Sequence, residues 1–211
     1  MKNVFTLVIA TGNKGKTLEI RRLLDGFPVQ IKDLGDYAPI PPVTEDGNTF
    51  EENACKKASF AARMLGLPAL ADDSGLMVEA LDGAPGVLSA RYAGKDTTDE
   101  QRCKVLLKEM GDRPHRKATF VCAVCITMPR GLTLTFRGTC DGLIAAQPAG
   151  SNGFGYDPVF YYPPMQKTFA EMTLAQKSTV SHRGKALKAL CDSFDRVQRF
   201  VNTDESGKEL S

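Results

Sequence analysis

Hydrophobic residues along the chain form runs of two kinds, and the longest continuous runs predict buried strands. Residues 4–10 are almost all apolar, which is typical of a strand covered on both faces. Residues 68–71 are also apolar and lead into Asp72 and Asp73. This second run predicts a buried strand that ends in a tight turn at Gly75.

Other segments carry the period of a strand pair or of a helix. Residues 116–128 and 131–140 predict two paired strands, and the second alternates apolar with polar residues, as a half-buried strand does. Apolar residues at helical spacing mark segments that begin near residues 17, 49, 98 and 181. Strands and helices therefore alternate along the chain, which predicts an α/β fold.

Composition and charge limit the possible partners. The chain has 211 residues, of which 42% are hydrophobic, and a formal net charge of +2. The length predicts one α/β domain over residues 1–201, with two lobes that share a sheet, and a polar tail over residues 202–211. The low charge predicts no nucleic-acid partner, and the absence of a long apolar run predicts no membrane partner. Any cationic site must therefore be local.

The six cysteines favour a reducing cytoplasm over a disulfide framework. They are scattered along the chain, and a domain of this size needs no disulfide. Cys122 and Cys125 have the spacing of a metal or redox motif, but they lie in a predicted strand and no second pair exists. A spacing of three puts their sulfurs on opposite faces, so core thiols are the preferred interpretation.

A glycine-rich turn follows the first predicted strand, with the sequence Thr11-Gly12-Asn13-Lys14-Gly15-Lys16-Thr17. A helix is predicted directly after it. The turn therefore offers free backbone N–H groups, the positive end of a helix dipole and two lysines, which together favour a phosphate site. The alternative is an ordinary β–α turn with exposed lysines.

Asp72 and Asp73 stand side by side at the predicted end of a buried strand. Because side chains alternate along a strand, only one of them is expected to face a site, and the other orients the backbone or a neighbouring group. Two such acids are costly unless they are paired, solvated or bound to a metal, and a hard divalent cation suits carboxylate oxygen. The alternative is an exposed turn with two solvated acids.

Three further groups suit a nucleotide. Glu45 lies in a loop over residues 35–48, and an aromatic and acidic loop spans residues 153–158. Lys177 precedes Ser181-His182-Arg183-Gly184 at a predicted helix N-terminus, where cations oppose the helix dipole and so favour a ligand. The alternative is a solvated first turn, which would be preferred if this segment stood alone. Cations for phosphate oxygens, acids for Mg²⁺ and an aromatic ring to stack on a base together describe a nucleoside triphosphate pocket.

In these motifs and their order, the chain resembles the bacterial inosine/xanthosine triphosphate pyrophosphatases. The resemblance covers roughly residues 4–200. Its motifs are Thr11–Lys16, Glu45–Ala54, Ala71–Gly75, Gly83–Gly86 with Ser89–Gly94, Gly153–Pro158, and Lys177 with Ser181–Gly184.

The resemblance implies an ITPase-like fold, in which helices flank a twisted mixed β-sheet and two lobes surround a central cleft. It implies hydrolysis of ITP, dITP and XTP to the nucleoside monophosphate and pyrophosphate, which removes these nucleotides from the precursor pool for DNA and RNA. It also implies Mg²⁺ as the cofactor and a homodimer as the assembly.

The same resemblance implies a role for individual residues. Asp73 is expected to be the general base and a metal ligand, and Glu45 a second acid at the metal. Ser74 is expected to contact the substrate, and Phe154 to stack on the base. The other expected substrate-binding residues are Thr11, Gly12, Asn13, Lys14, Gly15 and Lys16 at the phosphates, Gly155, Tyr156 and Asp157 beside the base, and Lys177, His182 and Arg183 at the purine edge.

Two positions differ from the pattern of this family. Lys14 adds a cation to the phosphate turn, at a position that the family leaves variable. Tyr156 stands where some members carry tryptophan, which is expected to tune stacking and leave the chemistry unchanged.

Two other functions fit parts of the sequence. Residues 10–17 match a P-loop if alanine replaces its first glycine, and residues 70–73 resemble a Walker B strand. Thr17 would then bind Mg²⁺, and the products would be ADP and phosphate, but residues 153–158 and 181–184 would have no role. A non-enzymatic nucleotide- or RNA-binding module fits less well, because the net charge is near zero and acids stand where a binder would want none.

Overall fold

The computed structural model describes residues 4–206, with side chains as far as Asn202. Met1 to Asn3 and the last five residues of the predicted tail lie outside the described residues. The strands are β1 (Phe5–Ile9), β2 (Val29–Asp33), β3 (Ala69–Val78), β4 (Lys117–Thr127), β5 (Thr133–Ile144), β6 (Phe160–Tyr162) and β7 (Lys167–Thr168). The α-helices are α1 (Lys14–Leu23), α2 (Phe50–Leu65), α3 (Asp99–Met110), α4 (Leu174–Val180), α5 (His182–Asp192) and α6 (Phe194–Ser206).

The strands form one mixed sheet in the order β2-β1-β3-β4-β5-β6-β7. β1 is parallel to both β2 and β3, whereas β6 is antiparallel to both β5 and β7. β4 and β5 form a hairpin, in which Met128 N donates to Leu132 O at 2.9 Å and Ile144 N donates to Arg116 O at 2.8 Å. The predicted α/β class with a mixed sheet is confirmed.

The patterns predicted for the central strands are confirmed in their burial. Leu7, Val8 and Ile9 of β1 are buried, as expected for a strand covered on both faces. β5 alternates between exposed and buried residues from Thr133 to Asp141. Its hydrophobic members pack inward and its polar members face solvent, which is the half-buried strand that the sequence predicted.

β3 corrects the predicted turn after Asp73. The strand continues through Gly75 and ends at Val78, so the two acids lie in its interior. The cause is the renewed apolar pattern, because Leu76 and Val78 are fully buried. Leu76 N also donates to Ser89 Oγ at 2.9 Å, which holds the extension in place.

The helical segment predicted to begin near residue 181 is divided into two helices in the structure. The chain forms α5 and α6, which meet at Ser193. Ser193 N donates to Leu190 O, while its own carbonyl accepts from Arg196 N and Val197 N, so this residue ends one helix and begins the next. Residues 202–206, predicted as a tail, continue α6. Edge strand β2 was not predicted because it mixes polar with apolar residues and contains no buried residue, and helix α4 was not predicted because it is short.

The chain divides into two units, each with its own core. The first unit contains the chain through Asp73, Ala123–Arg137 and the residues from Ala186 onward, and the second contains Ser74–Cys122 and Gly138–Lys185. The core of the second unit is rich in aromatic residues, with Phe120, Phe160 and Phe169 in mutual contact. Each unit therefore has packed elements on which functional side chains can be held.

The cysteines agree with the expectation from sequence. Cys122 and Cys125 are buried, and all six cysteines are free thiols, so the preferred interpretation as core thiols is confirmed. Among the described helices, none has the length and apolar character required to span a membrane.

We predict that alanine at Gly184 destabilises the fold more than alanine at Gly66. A Cβ at Gly184, in the first turn of α5, would lie 1.8 Å from the carbonyl oxygen of Ser178, whereas a Cβ at Gly66 meets open space and suffers only from its φ of +66°. The expected losses in the free energy of unfolding are about 3 kcal/mol for Gly184→Ala and about 1 kcal/mol for Gly66→Ala. Urea denaturation of both variants measures them, and equal losses would contradict the prediction.

Candidate active site

The turn between β1 and α1 presents the N-terminus of a helix, as the sequence predicted. Asn13 caps α1, and its Oδ1 accepts from Lys16 N at 3.2 Å, while Asn13 N donates to Thr11 Oγ1 at 3.2 Å. The first N–H groups of a helix have no acceptor within that helix. Two of these groups are used by the cap, so the N–H groups of Lys14 and Gly15 remain available to an anion.

Lys16 and Asp72 form a buried ion pair. Lys16 Nζ lies 3.0 Å from Asp72 Oδ2, and the Asp72 side chain is fully buried. The lysine of the phosphate turn is therefore tied to β3 by the first of the two adjacent acids. Lys14, by contrast, is exposed on α1.

Lys57 of α2 lies between the two acids that were expected to bind a metal. Its Nζ is 3.1 Å from Asp73 Oδ1 and 3.2 Å from Glu45 Oε2. One ammonium group thus joins Asp73 and Glu45, whereas Asp72 pairs with a different lysine. The two adjacent acids therefore have different ion-pair partners.

The charges of this cluster shift each other's protonation. Burial raises the pKa of the Asp73 carboxyl; Lys57 and Lys16 oppose the rise, and Glu45 adds to it. Burial of the Lys57 ammonium lowers its pKa, but Asp73, Glu45 and Asp72 outweigh that effect and hold the pKa above its ordinary value. Asp73 therefore holds a proton more readily than an exposed aspartate, next to a firmly charged lysine.

Helix α2 holds the loop that carries Glu45. Consecutive loop residues each contact the helix, as an ion pair or a hydrogen bond. The contacts are Glu45 with Lys57 at 3.2 Å, Asp46 with Lys56 at 2.5 Å, Gly47 N with Asn53 Oδ1 at 2.8 Å, and Asn48 N with Glu52 Oε2 at 2.7 Å. The position of Glu45 thus depends on the first two turns of α2.

Asp73 and Glu45 fit a magnesium ion that also binds phosphate. Oδ2 of Asp73 is buried and has no hydrogen-bond partner in the described part of the chain, and such an anionic oxygen suits a cation. Within residues 4–202, no three His, Cys, Asp or Glu side chains are grouped so as to hold a metal ion. Two carboxylates suffice for Mg²⁺ only when substrate phosphates complete its ligands, as is usual for this ion.

A second cluster lies in the second unit, around the ring of Phe154. Lys177 Nζ lies 4.8 Å and Arg183 Cζ lies 5.4 Å from the centroid of this ring. Lys177 Nζ also pairs with Asp157 Oδ2 at 2.5 Å, and the same carboxylate oxygen accepts from Phe154 N at 2.9 Å. Asp157 therefore joins the aromatic loop to α4.

Burial and the neighbouring donors have opposite effects on the pKa of the Asp157 carboxyl. Burial raises the pKa of this carboxyl, and Lys177, the Phe154 N–H group and Arg183 oppose the rise. The pair of Asp157 and Lys177 is almost fully buried, so it fixes the loop while Lys177 stays at the Phe154 ring.

The two basic residues of the Ser181–Gly184 segment, His182 and Arg183, have different surroundings. Arg183 Nη2 lies 3.4 Å from Ser74 Oγ, the residue that follows Asp73 in β3. His182 instead stacks on Phe120, with 4.5 Å between ring centroids and an angle of 12°. Ser181 joins the two helices, because its N–H donates to Lys177 O and its Oγ accepts from Gly184 N.

Tyr156 does not fit the role expected for it in stacking. Its ring belongs to the core of the second unit and is only 3% exposed, and its hydroxyl donates to Ser89 O at 2.9 Å. Phe154 of the same loop is half-buried. The loop therefore offers Phe154 to a ligand and uses Tyr156 as its anchor.

The chain matches a known protein family over most of its length. Residues 7–193 match the Ham1 family. The chain belongs to the Ham1 family. This assignment confirms the resemblance drawn from the motifs.

Relatives of this Ham1 chain carry the name dITP/XTP pyrophosphatase. The one from Syntrophobacter fumaroxidans is 53% identical over 204 residues, which cover 97% of this chain and 88% of the relative. The one from Geobacter sulfurreducens is 52% identical over 188 residues, which cover 88% of this chain and 94% of the relative.

Solved structures agree with the fold of this Ham1 chain. The HAM1 protein of Coxiella burnetii has a TM-score of 0.85 and 41% identity, with 91% of this chain and 99% of that chain covered. A protein of Mycobacterium abscessus, titled nucleoside-triphosphatase / dITP/XTP pyrophosphatase, has a TM-score of 0.73 and 42% identity, with 88% of this chain and 98% of that chain covered.

The sequence analysis missed Lys57, which holds the two acids together. Its signal was weak, because a lysine on an exposed helix face is commonplace, and its neighbour Lys56 is such a residue. The only available sign was its place two turns after the capping residue Thr49, directly before Ala58.

We predict that Lys57→Gln raises the pKa of the Asp73 carboxyl. The substitution removes the positive charge and the hydrogen bond that favour the ionised form of Asp73. A ¹³C NMR titration of the Asp73 carboxyl measures the shift. The control is Lys56→Gln, which removes an exposed lysine that pairs only with Asp46 among the described acids. A lowered or unchanged pKa in Lys57→Gln would contradict the prediction.

Proposed function

We propose that this Ham1 chain is a dITP/XTP pyrophosphatase, which hydrolyses dITP, XTP and ITP to the nucleoside monophosphate and pyrophosphate. The observation that carries the proposal is the charge cluster of the first unit, where Lys57 joins Asp73 to Glu45 and Lys16 pairs with Asp72. Such a cluster can hold a polyphosphate and offer a carboxylate to water. The name of the relatives, dITP/XTP pyrophosphatase, supports the same reaction, which is the hydrolysis of an acid anhydride.

The phosphates bind at the start of α1. The N–H groups of Lys14 and Gly15 and the ammonium group of Lys16 donate to phosphate oxygens, with the helix dipole adding to the attraction. Asn13 and Thr11 fix the turn through their side-chain oxygens. The turn over Thr11 to Lys16 is thus preorganised for an anion before the substrate arrives.

The base binds at the ring of Phe154. This ring is half-buried, so part of it is open to a purine, and Asp157 holds the loop that carries it. Lys177 and Arg183 lie at the same ring and supply hydrogen-bond donors. Ser74 contacts the substrate beside Asp73.

Asp73 acts as the general base. It accepts the proton of the attacking water at Oδ2, the oxygen that makes no hydrogen bond within the described residues. The water attacks the α-phosphorus, the bond to the bridging oxygen breaks, and pyrophosphate leaves with both electrons of that bond. Lys57 keeps Asp73 oriented through Oδ1, and Lys16 neutralises charge on the phosphates.

Asp73 and Glu45 would hold Mg²⁺, and phosphate oxygens of the substrate would complete its ligands. When bound, this ion neutralises phosphate oxygens and so favours the departure of pyrophosphate.

Selection for inosine and xanthosine follows from the donors near the base. The oxo group at purine position 6 accepts hydrogen bonds from Lys177, His182 and Arg183, whereas the amino group of adenine would face these donors with another donor. A site built to pair with one substrate group can reject an analogue that lacks it by about 10⁴-fold or more.

The chain is further proposed to act as a homodimer in the cytoplasm. The dimer is supported by the family resemblance. The cytoplasm is supported by six free thiols in a chain that needs no disulfide.

We expect pyrophosphate, and no free phosphate, from dITP, XTP and ITP. We expect ATP to be hydrolysed far more slowly. A colorimetric phosphate assay, run with and without added inorganic pyrophosphatase, measures both products. Phosphate that appears without the added enzyme would support the P-loop alternative instead. Binding without any turnover would support the non-enzymatic module.

We predict that Asp73→Asn lowers kcat for ITP by about 10²–10⁴-fold, the usual contribution of a positioned general base. The fold is retained, because the amide oxygen can still accept from Lys57. Initial rates and thermal melting measure the two effects. The control is Asp46→Asn, which alters an exposed acid on the same loop as Glu45. Full turnover by Asp73→Asn would show that another group is the base.

A further inference from the structure

The segment Ser89–Gly94 belongs to the family pattern but has no role in the reaction described above. It contacts the base-binding loop through Tyr156, whose hydroxyl donates to Ser89 O at 2.9 Å. Ser89 is itself fixed, because its Oγ accepts from Leu76 N of β3 at 2.9 Å and donates to Gly86 O at 2.6 Å. The segment is therefore a firm attachment for the loop.

The first turn of α3 holds the same loop at the next residue. Gly155 N donates to Asp99 Oδ2 at 2.6 Å, and Cys103 Sγ donates to Gly155 O at 3.4 Å. Asp99 and Cys103 are four residues apart, so they lie on one face of the helix. Burial, with Asp99 adding to it, raises the pKa of the Cys103 thiol to about 11, so the thiol keeps its proton at neutral pH and can donate.

Arg102 connects the first turn of α3 to the Ser89–Gly94 segment. It donates to Asp99 Oδ1, to Thr97 O at 2.6 Å and to Ala90 O at 3.1 Å, and Ala90 follows Ser89. The contacts thus run from Gly155 to Asp99, Arg102 and the Ser89–Ala90 segment, and return through Tyr156. The start of α3 is fixed as well, by reciprocal hydrogen bonds between Thr98 and Gln101.

We propose that Asp99 is a positioning residue for substrate specificity, which holds Gly155 so that the adjacent Phe154 ring is preorganised to stack on the purine base. This inference rests on the proposed function. Phe154 is held on one side by Asp157 and on the other by the Asp99–Gly155 hydrogen bond. Without Asp99, only a fraction of molecules would present the ring correctly, and apparent affinity falls by that fraction.

The test compares two neighbouring acids in the first turn of α3. Asp99→Ala is expected to raise KM for ITP about tenfold, the effect of one lost charge-assisted hydrogen bond, with kcat unchanged. Asp99→Asn keeps an acceptor oxygen and is expected to restore most of the affinity. The matched control is Glu100→Ala, which removes an exposed acid that pairs with Lys104 and should leave both constants unchanged.

A spectroscopic readout separates loop position from general stability. The chain has no tryptophan, so Phe154→Trp introduces a single tryptophan, which can be excited selectively at the ring in question. In this background, Asp99→Ala is expected to lower the fluorescence anisotropy of the free protein, whereas Glu100→Ala leaves it unchanged. The anisotropy needs no turnover, so it judges the role of Asp99 even if no triphosphate yields pyrophosphate and the proposed function fails.

An unchanged KM together with an unchanged anisotropy in Asp99→Ala would overturn the proposal, and so would an equal fall in kcat and kcat/KM. If Asp99→Ala does not fold, Cys103→Ala replaces it. That variant is expected to raise KM about threefold, because a thiol is a weak donor, and an unchanged KM would then overturn the proposal.

Discussion

The ammonium group of Lys57 is the contact on which the candidate active site depends. Asp73 and Glu45 carry like charges and would repel each other if no cation lay between them. Lys57 lies within 3.2 Å of both, and α2, which carries it, also holds the loop of Glu45. The helix therefore fixes both acids at once. Because the same lysine favours the ionised form of Asp73, it influences the protonation of the proposed general base as well as its position.

Buried charge is balanced by pairs in both units, and its retention has a functional reason. Lys16 with Asp72 and Lys177 with Asp157 are both strongly buried pairs. Apolar residues of similar volume commonly stabilise a fold as well as such pairs do, so these pairs are weak evidence for stability. They are well explained if each supplies a fixed charge to a ligand. The first lysine belongs to the phosphate turn, and the second lies at the ring of Phe154.

The sequence predicted the features that depend on local pattern and missed those that depend on tertiary contact. The run over residues 4–10 and the alternation of β5 gave correct strands, because burial on two faces or one leaves a direct trace in hydrophobicity. The predicted end of β3 was wrong, since polar Asp72 to Gly75 looked like a turn, whereas the strand continues to the buried residues Leu76 and Val78. Lys57 was missed because nothing nearby in sequence distinguishes it from Lys56.

The two clusters solve the problem of precise placement in different ways. The acids and lysines of the first unit lie on the regular elements β3, α1 and α2, except for Glu45. Glu45 lies on a loop that α2 holds through Lys57. Phe154 stands on a loop, which has no hydrogen-bonded ladder of its own. Two carboxylates restrain this loop by accepting hydrogen bonds from successive N–H groups. Asp157 accepts from Phe154 N, and Asp99 accepts from Gly155 N. In the proposed function, the chemistry that any triphosphate requires is thus set on regular elements, whereas the choice of purine base is set on a loop, where substitutions can change specificity without disturbing the sheet.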